Sequence, residues 1–158
     1  MRYTFESRYI INTTPEILWE IMTDVESWPE KLKYFRKVSI VGIEKNLKIG
    51  TLIHCRVRGI IPYTFNFQTE IIKINQCREL EVKSSGDLNG KGRWTINRDE
   101  NRTVSTFSWD VTTENFFLKT IETLPFGRKL LSFSHNFIMN SGYRSLVRLL
   151  AKDIGTQP

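Results

Sequence analysis

Proton transfer near neutral pH falls most easily to histidine, and the 158-residue sequence holds two, His54 and His135. His54 lies in Leu52-Ile53-His54-Cys55-Arg56-Val57-Arg58. Alternation there makes Ile53, Cys55 and Val57 the apolar face and turns His54 to solvent with Arg56 and Arg58. His135 stands four residues before Met139 and seven before Gly142, so on a helix it shares their face. Ser132, one turn earlier, extends a polar patch there. An imidazole so placed could donate a hydrogen bond to the oxygen of an amphiphilic molecule, or act as a general base. It could equally be a structural group bonded to a sheet carbonyl or a carboxylate. His135 is the one catalytic candidate.

Other chemistries find less support. A metal site needs three or four convergent ligands, and two histidines with two thiols of opposite strand parity do not provide one. No GxSxG nucleophile elbow occurs, although a Ser-His-Asp arrangement stays open. Gly86 to Gly92 is glycine-rich, but it leads into Trp94-Thr95-Ile96, a strand, whereas phosphate cradles open a helix. The segment reads as a bulged turn. No cofactor is expected.

The elements that must position these groups follow from period. Arg2 to Ile11 alternates and reads as a strand, with Tyr3, Phe5, Ser7, Tyr9 and Ile11 on one side. Thr14 as cap and Pro15 at the first position start a helix, with Thr13 and Glu16 as an alternative capping box. This helix runs to about Asp24, and Trp28-Pro29 breaks it; Glu30 to Tyr34 can add a turn. Strands follow at Phe35–Lys45, Thr51–Arg58, Tyr63–Ile74, Glu79–Ser85, Gly92–Arg98 and Thr103–Thr113. In Glu79–Ser85, Leu80 and Val82 point inward. Hairpin spacing argues an antiparallel meander. Asn115–Thr123 is a short helical lead-in.

Phe126 to Lys152 is the longest helical segment, punctuated by Pro125 and Gly127 at its start and Gly155 after it. Ile138, Met139, Gly142, Tyr143, Leu146, Val147, Leu149 and Leu150 share one broad face. Leu130, Phe133 and Phe137 fall opposite, toward the lead-in or the early helix. A long amphipathic helix needs an apolar surface to lie on, which a curved antiparallel sheet supplies. The expected fold class is α+β, a seven-stranded curved sheet wrapped around the C-terminal helix. Tyr63, Phe65, Phe67, Trp94, Phe107 and Trp109 sit at strand spacing that could line the concave face, as core or as the wall of a cavity. Gly142, mid-helix on the sheet-facing side, marks either close packing or room for a ligand.

Composition bounds the rest. Hydrophobic content of 40% and charged content of 25% fit an ordinary globular protein. Net charge is +6, yet the basic residues are scattered, and no reading motif or dense basic stripe suggests nucleic acid. Arg128, Lys129, Arg144, Arg148 and Lys152 form a modest cluster on the last helix, either a solvated face or a transient contact with an anionic membrane or partner. No signal-peptide core and no span-length apolar stretch is present, and Cys55 and Cys77 read as reduced thiols, so a cytoplasmic location is expected.

Taken in order, the motifs resemble the helix-grip superfamily of START lipid-transfer domains, the birch-pollen allergen fold and bacterial polyketide cyclase/dehydrase-like proteins. The resemblance rests on Pro15-Glu16-Ile17-Leu18-Trp19, Trp28-Pro29, Gly50, Pro62-Tyr63, Gly86 through Trp94, Trp109-Asp110-Val111, and Ser134-His135-Asn136 with Met139 and Gly142. It covers nearly the whole length and implies a single helix-grip domain over residues 1–158. It further implies a deep apolar cavity between sheet and long helix, holding a lipid, quinone, polyketide or other small hydrophobic molecule, and carries over no common catalytic residue. The cavity residues expected are Ser132, His135, Met139, Gly142, Tyr143, Leu146, Tyr63, Phe65, Phe67, Trp94, Phe107 and Trp109. A carrier or sensor of a hydrophobic ligand is the first expectation. A polyketide cyclase or dehydratase is the second, and a protein-binding module using the same groove the third. No obligate protein partner is evident.

Overall fold

Side-chain alternation builds the sheet, and one long helix fills its concave side. The structure, a computed structural model, describes residues 2–42, 46–113 and 115–154, with the side chains of residues 122, 128 and 152–154 outside that description. Strand β1 (Arg2–Ile11) alternates exposed and half-buried positions along its length and ends on a buried Ile11. Helix α1 (Pro15–Thr23) follows, with Thr14 as its cap: the Thr14 hydroxyl accepts from the Ile17 N–H, and Pro15 takes the first position. A single 3₁₀ turn over Val25–Ser27 leads into α2 (Trp28–Lys31). Trp28-Pro29 was expected to break the helical run; instead it opens a short new helix. Proline fits there because a first-turn N–H has no partner within the helix anyway.

Six further strands complete one antiparallel sheet: β2 (Phe35–Ile40), β3 (Leu52–Val57), β4 (Phe65–Asn75), β5 (Glu79–Gly86), β6 (Asn89–Asp99) and β7 (Arg102–Thr112). Their spatial order is β1-β7-β6-β5-β4-β3-β2, so the first strand pairs with the last. The expected extension of the second strand to Lys45 enters residues 43–45, outside the described residues; β2 itself ends at Ile40. Register shifts fall in β2 between Phe35 and Lys37 and in β4 between Ile71 and Lys73, where extra residues bend the sheet.

The glycine-rich stretch is not a bulged turn. The β5–β6 register runs unbroken from Glu79↔Thr95 to Ser84↔Gly90, and Gly90 and Gly92 lie within β6. Glycine is needed there for close approach. A Cβ built on Gly90 would stand 2.0 Å from the Asp110 carbonyl oxygen, and one on Gly92 would stand 3.2 Å from Trp109 Cδ1. Gly86, at φ +114°, makes the turn itself.

Helix α3 (Phe116–Thr123) is capped by Asn115, whose side-chain oxygen accepts from the N–H groups of Phe117 and Leu118. Phe126, at φ +69°, then turns the chain into α4 (Gly127–Ile154), 28 residues and about 42 Å long. The buried core is not continuous. One cluster joins Val25, Val38, Ile53, Val57 and Ile71; a second joins Ile11, Leu18, Trp19, Ile96, Leu146 and Leu150; a third joins Ile61, Leu118 and Leu131. Each fully buried leucine or isoleucine contributes about 2 kcal/mol. The three clusters stand around a space that side chains do not fill.

Candidate functional site

That space is a cavity of about 310 Å³ between the concave sheet and α4. It is large enough for a small organic molecule and bounded almost wholly by carbon. From the sheet, Phe65, Phe67, Trp94, Phe107 and Trp109 reach its wall. From α4 come Ser134, His135, Ile138, Met139, Gly142, Tyr143, Leu146 and Leu149, and from the α1–α2 segment Met22, Val25, Trp28 and Leu32.

Of the twelve residues assigned from sequence, ten line this space, and Ser132 and Tyr63 do not. Ser132 is exposed. Near its start the inner face of α4 centres on Leu131, Ser134, His135 and Ile138. At 100° per residue Ser132 is rotated away from Leu131 and out of the groove. Ser134 is the buried serine of that turn, 4% exposed. Tyr63 has a structural task. Its hydroxyl donates to Asp87 Oδ2 at 2.9 Å and accepts from Asn115 Nδ2 at 2.6 Å, while Asp87 also accepts from the Asn66 N–H at 2.8 Å. Tyr63 thereby joins the approach to β4, the β5–β6 turn and the cap of α3. Val147, assigned to the inner face of the helix, is 41% exposed.

His135 is held between rings. It stacks on Phe5 with ring centroids 3.8 Å apart, and Trp109 lies 5.9 Å away. Burial pulls its pKa down to about 4, because desolvation disfavours the charged imidazolium. The ring is therefore uncharged at neutral pH. His54 is exposed on β3, as its strand parity requires. Cys55, its neighbour, faces the cavity, and burial pushes its thiol up to about 12, which keeps it protonated and unreactive.

Gly142 faces open space. A Cβ built on it meets no atom within 4 Å, so close packing does not explain a glycine in mid-helix. Gly59 is the opposite case: a Cβ there would come within 2.6 Å of Ile138 Cδ1, and this contact seats the β3–β4 connection on α4. Two tyrosines fasten the other flank. Tyr9 and Tyr143 stack at 4.5 Å; the Tyr9 hydroxyl donates to Asn140 Oδ1 at 3.0 Å, and the Tyr143 hydroxyl donates to the Ile10 carbonyl at 3.2 Å.

Several wall residues are absent from the set expected from sequence. Phe5 and Tyr9 are legible as one side of an alternating β1, but which side faces a cavity depends on β1 pairing with β7. Ser84 continues the inward series of Leu80 and Val82 by one more step. Trp28 carries no positional signal, since its placement follows from the short α2.

No protein-family model matches the sequence, and no curated protein matches it. Solved structures do match in shape. The Zhui aromatase/cyclase from Streptomyces sp. R1128 superposes with a TM-score of 0.75 at 13% identity, over 98% of this chain and 96% of that one. A START superfamily protein from Mycobacterium smegmatis gives 0.72 at 11% identity, over 94% and 97%. Major latex-like protein 151 from Panax ginseng gives 0.70 at 12% identity, over 93% and 96%. The chain has the helix-grip fold. Identities this low establish shape and no chemistry.

Proposed function

We propose that the protein binds a small hydrophobic molecule in the cavity between sheet and α4. The observation that carries this reading is the size and lining of the space: about 310 Å³ walled by aromatic and aliphatic side chains, with a glycine of α4 opening onto it. A dry void of this size would forfeit dispersion contacts on every side, and an apolar ligand restores them. Carriage or sensing is favoured over catalysis by the state of His135. A base whose conjugate acid has a pKa of about 4 draws a proton weakly at neutral pH, well away from the range that suits general-base work. The cyclase or dehydratase reading would need another proton acceptor, such as a carboxylate that burial raises toward neutrality, and among the described residues no carboxylate lines the cavity.

The test is saturable binding. A hydrophobic, uncharged fluorophore such as Nile red should bind the folded protein at a stoichiometry near one and raise its melting temperature, since a ligand of the native state alone stabilises it. Absence of saturable binding across Nile red, sterols, quinones and aromatic polyketides would remove the reading.

The outer face of α4 supports a route for such a ligand. Leu130, Phe133 and Phe137 are exposed on its first half, Phe133 at 59%, and Arg144 and Arg148 are exposed further along. Phe137 also packs edge-on to Tyr34 at 5.5 Å. Exposed aromatics followed by cations on one helix face suit an anionic membrane surface. Co-sedimentation with vesicles of phosphatidylserine and phosphatidylcholine should exceed that with pure phosphatidylcholine; Arg144→Ser with Arg148→Ser should abolish the difference, and Phe133→Ser with Phe137→Ser should weaken sedimentation with both. Equal sedimentation with both vesicles would reject this route and leave the ligand reading untouched.

A further inference from the structure

Helix α3 is apolar on two sides, and only one of them is buried. Inward, Leu118 is buried and is the one described residue of α3 in the cavity wall. With Ile61 of the β3–β4 connection and Leu131 of α4 it forms the third core cluster, against which Ile121 also packs, and this cluster stops one end of the cavity. Two residues along a helix turn the side chain by about 200°, so Phe116 stands opposite Leu118. Phe116 is 84% exposed, and Phe117 and Leu124 are exposed with it. Phe126, in the turn that follows, is 76% exposed at a backbone φ of +69°. The left-handed region disfavours an aromatic residue, and burial of the ring would ordinarily offset that strain; here the ring stands in water.

Outside the cavity, α3 is fastened by polar groups. Asn115, its cap, donates from Nδ2 to the Tyr63 hydroxyl and to Asp87 Oδ1 at 3.0 Å, and Tyr63 donates to Asp87 Oδ2 as described above. In water, lifting α3 would expose Leu118, Ile121 and the cavity wall, which apolar hydration opposes. Against lipid that opposition disappears, because hydrocarbon chains are as apolar as the wall. A surface shifts a conformational balance only by favouring one state over the other, and this difference supplies such a preference. The outer side already offers Phe116, Leu124 and Phe126 to hydrocarbon. Lys119 and Lys129 each stand three residues after one of these rings, exposed and with no ion-pair partner among the described residues. The Lys129 Nζ lies 5.6 Å from the Phe126 ring. Apolar side chains bordered by unpaired cations match an anionic lipid surface in both respects.

Resting on the ligand-binding reading above, we infer that α3 is a lid over one end of the cavity and that an anionic lipid surface opens it. Phe116, Leu124 and Phe126 enter the apolar layer, the network of Asn115, Tyr63 and Asp87 parts, and Leu118 leaves the cavity end. In water the same contacts keep the lid shut and the ligand in place. The α3–α4 corner thus controls passage of the ligand, whereas the outer face of α4 serves adhesion of the protein.

The protein loaded with Nile red provides the test. Trp28, Trp94 and Trp109 stand in the cavity wall, so release of the dye is followed as recovery of quenched tryptophan fluorescence. A ligand that leaves through water does so at a rate independent of the acceptor; a lid opened by contact gives a rate that rises with acceptor concentration. With vesicles of phosphatidylserine and phosphatidylcholine the rate should rise in proportion to lipid, and with pure phosphatidylcholine less steeply. With serum albumin, which takes up the dye and presents no lipid surface, it should stay flat. Phe116→Ser with Phe126→Ser should flatten the vesicle slope and leave the affinity for Nile red unchanged. Tyr63→Phe, which removes the hydroxyl shared by Asp87 and Asn115, should speed release into water roughly fivefold, a hydrogen-bond-sized effect. A flat slope with vesicles in the wild type overturns the inference while ligand binding stands. So does a slope as steep with albumin or with pure phosphatidylcholine. A full slope in the double serine variant places the opening elsewhere, and an unchanged rate in Tyr63→Phe removes the fastening; either overturns the lid. Failure of Nile red to bind at all instead overturns the ligand-binding reading beneath it. The wild-type slopes need no variant, so the test survives a variant that does not fold.

Discussion

Gly142→Leu should weaken ligand binding markedly while leaving the protein folded and somewhat more stable. The position faces open cavity, with nothing within 4 Å of where a Cβ would stand, so the new side chain takes up ligand space and clashes with no neighbour at its root. A ligand forced to share that space meets the usual overpacking penalty of about 1–3 kcal/mol, which weakens binding roughly 10- to 100-fold. Stability should move the other way. Glycine in a helix interior is disfavoured by about 1 kcal/mol, and an apolar side chain meeting an apolar wall gains contacts. A rise in melting temperature of about 3 °C follows for a chain of this size. Titration of Nile red into wild type, Gly142→Ala and Gly142→Leu, with a thermal melt of each, makes the check. Alanine should raise stability and weaken binding only slightly. Full binding by the leucine variant would place the ligand elsewhere, and a large loss of stability would mean that the helix packs directly on the sheet at this point.

The second large effect concerns acid. His135 titrates near 4 in the folded protein against 6.5 for an ordinary histidine, through burial. Between these values the unfolded chain holds a proton that the folded chain does not, so stability falls as pH falls through the window and levels off below it. The contribution is on the order of 3 kcal/mol between pH 7 and pH 4. The groups facing the ring are Phe5 and Trp109 from the sheet and the lining residues of its own helix, none of them acidic. Carboxylates elsewhere also respond to acid: Glu16, Asp24, Glu79 and Asp110 are held below their usual range, chiefly by hydrogen bonds, and lose those contributions as they protonate. They are common to both proteins in a comparison with His135→Gln and cancel in the difference. Urea unfolding at half-unit steps from pH 7 to pH 4 should show wild type losing stability faster than the variant across this window. Parallel curves would mean that the imidazole reaches water.

Much of this protein is written in local pattern. Period-2 alternation locates the seven strands, Thr14-Pro15 places the start of α1, and the spacing of Ile138, Met139, Gly142 and Leu146 identifies the inner face of α4, because side-chain direction follows from backbone geometry alone. The same logic sets His135 on that face and turns His54 outward. Local pattern misleads where it is weak or carries two meanings. Gly86 to Gly92 looks like a turn because glycine is a turn residue, yet Gly90 and Gly92 are strand positions whose missing side chains let β7 and Trp109 approach. Trp28-Pro29 looks like a helix end and is a helix start. Ser132 lies one turn from His135 in sequence and outside the groove in space, since the packing of α4 against its neighbours decides which part of a broad face is inner. Tyr63 alternates with Phe65 and Phe67 as a wall residue would, but Asp87 and Asn115, distant in sequence, claim its hydroxyl. What tertiary structure alone decided is the cavity itself. Its volume is the difference between the curvature of a seven-stranded sheet and the bulk of the side chains pointing inward, and that difference is set by strand order, register shifts and the seat of α4. Trp28, Ser84 and His135 come from three separate elements, and only the folded chain brings them to one wall.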